Sequence, residues 1–218
     1  MKNPVQEIPQ RTPENPLGTG ADLFFSQYVK KFLAGNSAGR ELAGELTRCG
    51  VGLMPLVDHC TIRTHDVDLR SRPVIELGFQ FDGHIGVLDF GSWWAKVFRK
   101  PGYPALFIDQ AFAGERGKTS LIADWVDAHG DECFHHIAVR VEAIDIAIAT
   151  LKKGGVSFPA DVVGLPGSDL RQIFTQPELL NGRVHTVLEL IERHHGYTGF
   201  LPPQADGLME STRKAPVS

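Results

Sequence analysis

Residues 135–153 read HHIAVRVEAIDIAIATLKK, a short apolar run followed directly by a segment with helical periodicity. The first six letters have a counterpart in DHCTIR at 58–63, about 77 residues earlier. Both runs place a histidine four positions before an arginine, with residues between them that favour a buried strand. A helical segment and then several strand-like segments follow each run, so we predict two copies of one structural module.

The segments after the two runs predict the rest of each module. In the first half we expect a short helical connection, strands within 80–90, at 93–94 and at 104–110, and a helix over 119–130. In the second half we expect a helix over 142–155 and strands within 157–163, 170–176 and 183–193. The predicted fold class is α+β, with paired βαβββ modules that form a half-open, barrel-like sheet after N-terminal helices.

Composition divides the chain further. Residues 1–20 are polar and proline-rich, which predicts a disordered or wrapping arm. Apolar residues at helical spacing predict a helical extension over 21–50. The first module then covers 51–130, the second 131–200, and a C-terminal tail 201–218.

The overall composition excludes several classes of protein. The 218 residues carry a net charge of −4, and no run of Lys or Arg exceeds two residues, so we expect no nucleic-acid partner. No apolar stretch approaches the roughly 20 residues of a membrane-spanning helix, and the N-terminus lacks the apolar core of a secretory signal. We therefore expect a cytoplasmic protein with no membrane partner. Three cysteines without CxxC spacing predict buried, reduced thiols.

Three residues in the predicted strands could hold a metal ion. Strand alternation places His59 and His136 at equivalent positions of the two modules. Glu189 lies in the apolar run TVLELIER, where an ionised carboxylate needs a cation, a metal or strong hydrogen-bond donors. Two imidazoles and a carboxylate form the triad that binds non-haem Fe(II). The alternative is that the histidines are ordinary strand residues and that Glu189 pairs with Arg63, Arg140 or Arg193.

The closing segment LRQIFTQPELLNGRVHTVLELIERHHGYTGF resembles that of the vicinal oxygen chelate dioxygenases related to 4-hydroxyphenylpyruvate dioxygenase. DHCTIR and HHIAVRV resemble the two histidine-bearing strands of that family. The resemblance implies that His59, His136 and Glu189 are iron ligands, that Gln172 is an amide on the substrate side, and that Phe174 is a pocket wall. The chain departs from the family at His135, where Gln is common, and in its tail GYTGFLPP.

The pattern His-x-x-x-Arg in the first strand looks more like the 2-oxoadipate dioxygenase/decarboxylase family, in which the arginine holds the distal carboxylate of the substrate. This resemblance implies that Arg63 binds an acidic substrate. Arg140 lies on the same strand face as His136, and its planar guanidinium also suits a carboxylate. Salt bridges to Asp58, Glu76 or Glu142 are the structural alternative for these arginines.

These resemblances together predict an Fe(II)-dependent dioxygenase that binds a small-molecule 2-oxo acid and O₂. The reaction expected is oxidative decarboxylation with hydroxylation of the same substrate. An extradiol-type ring-cleavage dioxygenase and a metal-free ligand-binding module of the same fold are the alternatives. The sequence leaves the choice between a monomer and a homodimer open.

Overall fold

The computed structural model describes residues 19–213. The N-terminal arm expected at 1–20 therefore lies almost entirely outside the described residues. Two helices come first, α1 (Gly20–Gly35) and α2 (Ser37–Arg48), as the apolar spacing of 21–50 predicts. Thr19 caps α1 in a reciprocal arrangement with Asp22, and the side chain of Asn36 caps α2, so each helix begins at a residue that satisfies its free N–H groups.

The first module contains five strands and two helices. A helix over Val67–Glu76 accounts for the predicted connection, and a helix over Leu121–His129 lies between the caps Ser120 and Gly130. The elements are β1 (Val57–Arg63), α3 (Val67–Glu76), β2 (Gln80–Phe81), β3 (Val87–Asp89), β4 (Trp93–Arg99), β5 (Ala105–Ala111) and α4 (Leu121–His129).

The second module repeats the opening strand and helix. Its elements are β6 (His136–Arg140), α5 (Ile144–Lys153), β7 (Leu170–Phe174), β8 (Leu179–Leu180), β9 (Arg183–Val184) and β10 (Val187–Arg193). The strand predicted within 157–163 is wrong. Pro159 and Asp161 interrupt this segment, and only Val163 forms an isolated bridge, to Gln172.

The main sheet has eight strands and is open. Seven follow the order β2-β4-β5-β1-β6-β10-β7, and β3 pairs with β4. In each module the histidine-bearing strand pairs in parallel with a later strand, β1 with β5 and β6 with β10. The two histidine-bearing strands pair with each other antiparallel, with Thr61 opposite His136. The predicted α+β class with a paired, half-open sheet is confirmed.

The two faces of the sheet have different roles. One face forms the main core with α1, α2 and α5, through alternate residues such as Ile62, Ile108, Ile137 and Leu190. Phe25 of α1 is 2% exposed in this core. Its ring contacts three aromatic rings outside α1, those of Phe79, Tyr103 and Phe134. The helical extension is therefore part of the hydrophobic core, and the opposite face of the sheet is left for a site.

A sixth helix covers part of that opposite face. Helix α6 (Pro202–Arg213) lies within the segment 201–218 that the sequence predicts to be a C-terminal tail, and it contacts β7. Leu208 and Met209 of α6 are buried against the sheet. In the part of the chain that the structure describes, no helix combines the length and apolar character needed to cross a bilayer. Cys60 and Cys133 are buried free thiols as expected, whereas Cys49 is exposed at the end of α2.

Candidate metal centre

Strands β1, β6 and β10 bring His59, His136 and Glu189 together on the open face of the sheet. His59 Nε2 and His136 Nε2 lie 3.4 and 3.3 Å from Glu189 Oε2, and 3.3 Å from each other. All three side chains are buried. Among residues 19–213, they form a group of three potential ligands whose donor atoms are within 4.8 Å of one another.

The spacing of these atoms suits a shared ion. A triangle with sides of 3.3–3.4 Å has a point about 1.9 Å from each corner, close to the roughly 2.0–2.2 Å of metal bonds to imidazole and carboxylate. Glu189 Oε1 is also buried and has no hydrogen-bond partner in the described part of the chain. A buried carboxylate oxygen without a donor is costly unless a cation lies beside it. The donor set therefore fits a divalent metal ion.

Asp58 and Arg193 support His59 at Nδ1, the ring nitrogen that does not face Glu189. His59 Nδ1 lies 2.9 Å from Asp58 Oδ1, and Arg193 donates to both oxygens of Asp58 at 2.8 Å. Burial raises the pKa of Asp58, but the hydrogen bonds from His59 and Arg193 outweigh burial and hold that pKa well below its usual range. An ionised Asp58 accepts a hydrogen bond from the Nδ1–H group of His59. The Nε2 atom of His59 is then free to bind a metal.

His135 has the same relation to His136. The two Nδ1 atoms are 3.0 Å apart, so one imidazole donates to the other. Burial, together with neighbouring positive charge, lowers the pKa of both rings well below the ordinary value, and both are neutral at pH 7. If His136 donates from Nδ1, its Nε2 carries a lone pair toward Glu189 and His59. Thr61 Oγ1 lies 2.8 Å from the same Nε2 and is a second polar neighbour of this atom.

The charge of His59 depends on that of Glu189. Burial lowers the pKa of His59, but the charge of Glu189 and the hydrogen bond to Asp58 outweigh burial and raise that pKa to about 9. In the metal-free protein His59 therefore carries the positive charge that balances Glu189. A metal ion would replace this proton, because metal-bound imidazole is neutral.

A small cavity of ≈ 40 Å³ lies over the three residues. Its lining comes from six strands of the main sheet and from the C-terminal segment. Gln172 and Phe174, the two residues that the family resemblance assigned to the substrate side, both line it. The remaining lining residues are Thr61, Trp93, Phe107, Asp109, Phe200, Ala205, Leu208 and Met209.

The structure separates the two arginines predicted to bind substrate. Arg63 is 2% exposed, lies behind the cavity wall, and donates from Nη2 to Met209 Sδ at 2.8 Å. The carboxylate beside Arg63 is that of Asp109, with 3.9 Å between Arg63 Nε and Asp109 Oδ2. The sequence had instead offered Asp58, Glu76 or Glu142 as salt-bridge partners. Arg140 is exposed at the end of β6 and is not part of the cavity lining. It shares a strand face with His136 but lies four residues farther along the strand.

Sequence reasoning missed several residues of this site. Asp109 was not selected because it stands beside Gln110 at the polar end of the run PALFIDQ. Trp93, for which the sequence predicts only a place in a strand, lines the cavity and also stacks on Phe90 at a ring-centroid distance of 3.7 Å. Phe200 lies edge-on to His59 with 5.0 Å between ring centroids, although the tail departs from the family pattern. Phe107 and Asp109 lie opposite Thr61 and Arg63 in the pairing of β1 with β5. Strand alternation could therefore have placed them on the face of His59 only if this pairing had been known.

Comparison with known proteins shows similarity in structure rather than in sequence. No family model matches the chain, and no curated protein matches it. A protein from Shewanella frigidimarina with the provisional name of hydrolase has a TM-score of 0.70 and 18% identity, over 85% of this chain and 99% of that one. Rice (Oryza sativa) hydroxyglutarate synthase in complex with 2-oxoadipate has a TM-score of 0.68 and 18% identity, over 96% and 98%.

A protein of the glyoxalase superfamily by its provisional name, from Ralstonia eutropha, has a TM-score of 0.62 and 12% identity, over 87% of this chain and 89% of that one. At these identities the comparisons establish the fold. The fold neighbours include enzymes, hydroxyglutarate synthase among them. This chain has a glyoxalase-like fold.

Proposed function

We propose that this protein is a non-haem Fe(II)-dependent dioxygenase that acts on a 2-oxo acid. The observation that carries the proposal is the convergence of His59, His136 and Glu189 at a buried cavity. Two imidazoles and one carboxylate on one side of an ion are typical of Fe(II) oxygenases. The similarity in fold to hydroxyglutarate synthase, which binds 2-oxoadipate, supports the same substrate class.

The proposed reaction uses one O₂ for each CO₂ released. The bond between the carboxylate and the keto carbon of the 2-oxo acid breaks. One oxygen atom enters the new carboxylate, and the other enters a hydroxyl group on the same molecule. Bound Fe(II) would supply open coordination positions for the 2-oxo acid and O₂ and would polarise the keto group.

The protein's own groups would bind and orient the substrate. The amide of Gln172 faces the cavity and is 3.1 Å from Gln204 of α6, so it is held in place and can donate to a substrate oxygen. Phe107, Phe174 and Phe200 make the walls apolar, which excludes water from the reacting atoms. The cavity volume of ≈ 40 Å³ is too small for a six-carbon acid, so Leu208 and Met209 of α6 must shift when substrate enters.

The far end of the cavity favours an acidic substrate. Four residues of strand separate His59 from Arg63, about 13 Å at 3.3 Å per residue. A chelated dicarboxylic 2-oxo acid, together with the side chains that hold its two ends, can bridge this distance. A shift of Met209 would expose the Nη2 atom of Arg63 to the cavity.

Anaerobic titration of the purified protein with Fe(II) and a panel of 2-oxo acids tests the proposal. We expect a weak visible absorption band of the iron–2-oxo acid chelate, and its loss in Glu189→Ala. The matched control is His194→Ala, a histidine outside the cavity that pairs with Glu192 at 2.7 Å and should leave the band unchanged. A band with catechols alone would favour ring cleavage, and ligand binding that ignores Fe(II) would favour the metal-free module.

A further inference from the structure

Asp109 is the one acidic side chain that lines the cavity besides Glu189, among the residues that the structure describes. It lies on β5 directly opposite Arg63 of β1 in the parallel pairing. Its side chain is only 3% exposed. A substrate that extends from the metal centre toward Arg63 would therefore meet the carboxyl group of Asp109 as well.

Asp109 and Arg63 do not satisfy each other. The distance of 3.9 Å between Arg63 Nε and Asp109 Oδ2 is too long for a hydrogen bond. Arg63 Nε and Asp109 Oδ1 are both buried, and neither has a hydrogen-bond partner in the described residues. Buried polar atoms of this kind are rare in native structures and cost free energy. Both atoms could be satisfied by a polar group of a ligand that sits between them.

Burial and the charge of Arg63 have opposite effects on the pKa of Asp109. Burial raises its pKa to about 7, although the positive charge of Arg63 acts in the opposite direction. The titratable groups around Arg63 are His129 of α4, His136 of β6 and the preceding residue His135, and the positive charge of Arg63 helps to lower the pKa of each of them. Met209 of α6 and Trp125 of α4, which also contact Arg63, are uncharged. Asp109 can therefore gain or lose a proton near neutral pH.

We propose that Asp109 is a specificity-determining residue that takes up a proton when the far end of the substrate is a carboxylate. The inference rests on the proposed function and names its substrate class, a dicarboxylic 2-oxo acid. The substrate carboxylate accepts from the guanidinium of Arg63 and from the protonated carboxyl of Asp109. The proton comes from solvent, and no covalent bond changes. A 2-oxo acid with a methyl end leaves Asp109 and Arg63 as they are and takes up no proton.

Anaerobic calorimetry of the full chain saturated with Fe(II) tests this inference. The ligands are 2-oxoadipate and 2-oxohexanoate, which have the same chain length and differ in the terminal group. At pH 8, in two buffers with different ionisation enthalpies, we expect close to one proton taken up with 2-oxoadipate and none with 2-oxohexanoate. Between pH 7 and pH 9 the Kd of 2-oxoadipate should rise up to about tenfold per pH unit relative to that of 2-oxohexanoate.

The variant Asp109→Asn keeps the shape of the side chain and removes the titration. At pH 8, one unit above the pKa of Asp109, the variant should bind 2-oxoadipate about tenfold more tightly than the parent and take up no proton. Asp89→Asn is the matched control, because Asp89 pairs with Arg116 on the exposed side of the molecule. It should behave as the parent does.

The outcomes separate the two proposals. If 2-oxoadipate binds without proton uptake, or with the same pH dependence as 2-oxohexanoate, the role of Asp109 is wrong and the dioxygenase proposal stands. These two measurements use the unmodified protein, so they remain decisive if Asp109→Asn does not fold. Weaker binding of 2-oxoadipate by a folded Asp109→Asn also overturns the inference. If neither acid binds to the Fe(II)-loaded protein, the proposed function fails and the inference fails with it.

Discussion

Replacing Asp58 with asparagine removes the negative charge behind His59 and keeps the size of the side chain. The asparagine oxygen can still accept from His59 Nδ1, but its amide nitrogen then faces the Arg193 nitrogen that donates to Asp58 Oδ2 at 2.8 Å. Two donors would oppose each other in a site where the Arg193 side chain is 4% exposed. The substitution therefore weakens both the charge behind His59 and the support that fixes its ring.

The expected size of the effect follows from the general cost of removing such a partner. Loss of a hydrogen-bonded group behind a metal ligand lowers metal affinity by roughly 10–100-fold, which is about 1.4–2.7 kcal/mol. We expect Asp58→Asn to lie in the upper half of this range, because Arg193 loses its partner in the same step. Competition with a chelator under anaerobic conditions measures the Fe(II) affinity, at a temperature where circular dichroism shows the variant to be folded.

A matched control has the same Asp–His contact away from the cavity. His195 Nδ1 lies 2.8 Å from Asp169 Oδ1, and both side chains are exposed. Asp169→Asn should leave the affinity for Fe(II) unchanged. If folded Asp58→Asn binds Fe(II) within about threefold of the parent, then Asp58 does not support a metal ligand, and the assignment of His59 is in error.

Three further predictions concern the ligands and the core. His135→Gln should leave metal content nearly unchanged, since Gln can still accept from His136, whereas His136→Ala should abolish it; equal loss by elemental analysis would mean that the wrong histidine is assigned. The pKa of His59, raised to about 9, means that metal must displace a proton below that pH. Apparent metal affinity should thus rise by up to tenfold per pH unit from pH 7 and level off above pH 9; a flat profile in chelator competition would contradict this. Phe25→Ala should lower the free energy of unfolding by about 3–5 kcal/mol in denaturant titration with metal content retained, and a change below 1 kcal/mol would show that α1 is not part of the core.

Local patterns were sufficient to predict most elements and the three candidate ligands. The repeated runs 58–63 and 135–140 predicted the two modules, because a strand buried on both faces and followed by an amphipathic helix has a clear sequence pattern. Glu189 stood out because a carboxylate in an apolar strand needs a partner. The strand expected within 157–163 failed for a local reason, since Pro159 and Asp161 are unfavourable in a central strand.

The environment of Arg63 could not be predicted in the same way. Its partner Asp109 is 46 residues away in the sequence and becomes its neighbour only through the parallel pairing of β1 with β5. The contact with Met209 depends on where α6 packs, and a helix at the end of the chain gives no indication of the surface that it covers. Arg140 shows the opposite case, because alternation gives the correct strand face but not the exposure at the strand end.

The sequence by itself determined which residues face the same side of each strand, since side-chain alternation is a property of the backbone with a period of two residues. It thereby selected His59, His136 and Glu189 without knowledge of their distances. Only the tertiary structure decided that their donor atoms lie 3.3–3.4 Å apart, that Asp58 and His135 support the two imidazoles, and that Asp109 shares the cavity with them. These relations depend on strand order and on the packing of α6, which arise from contacts between residues far apart in the chain.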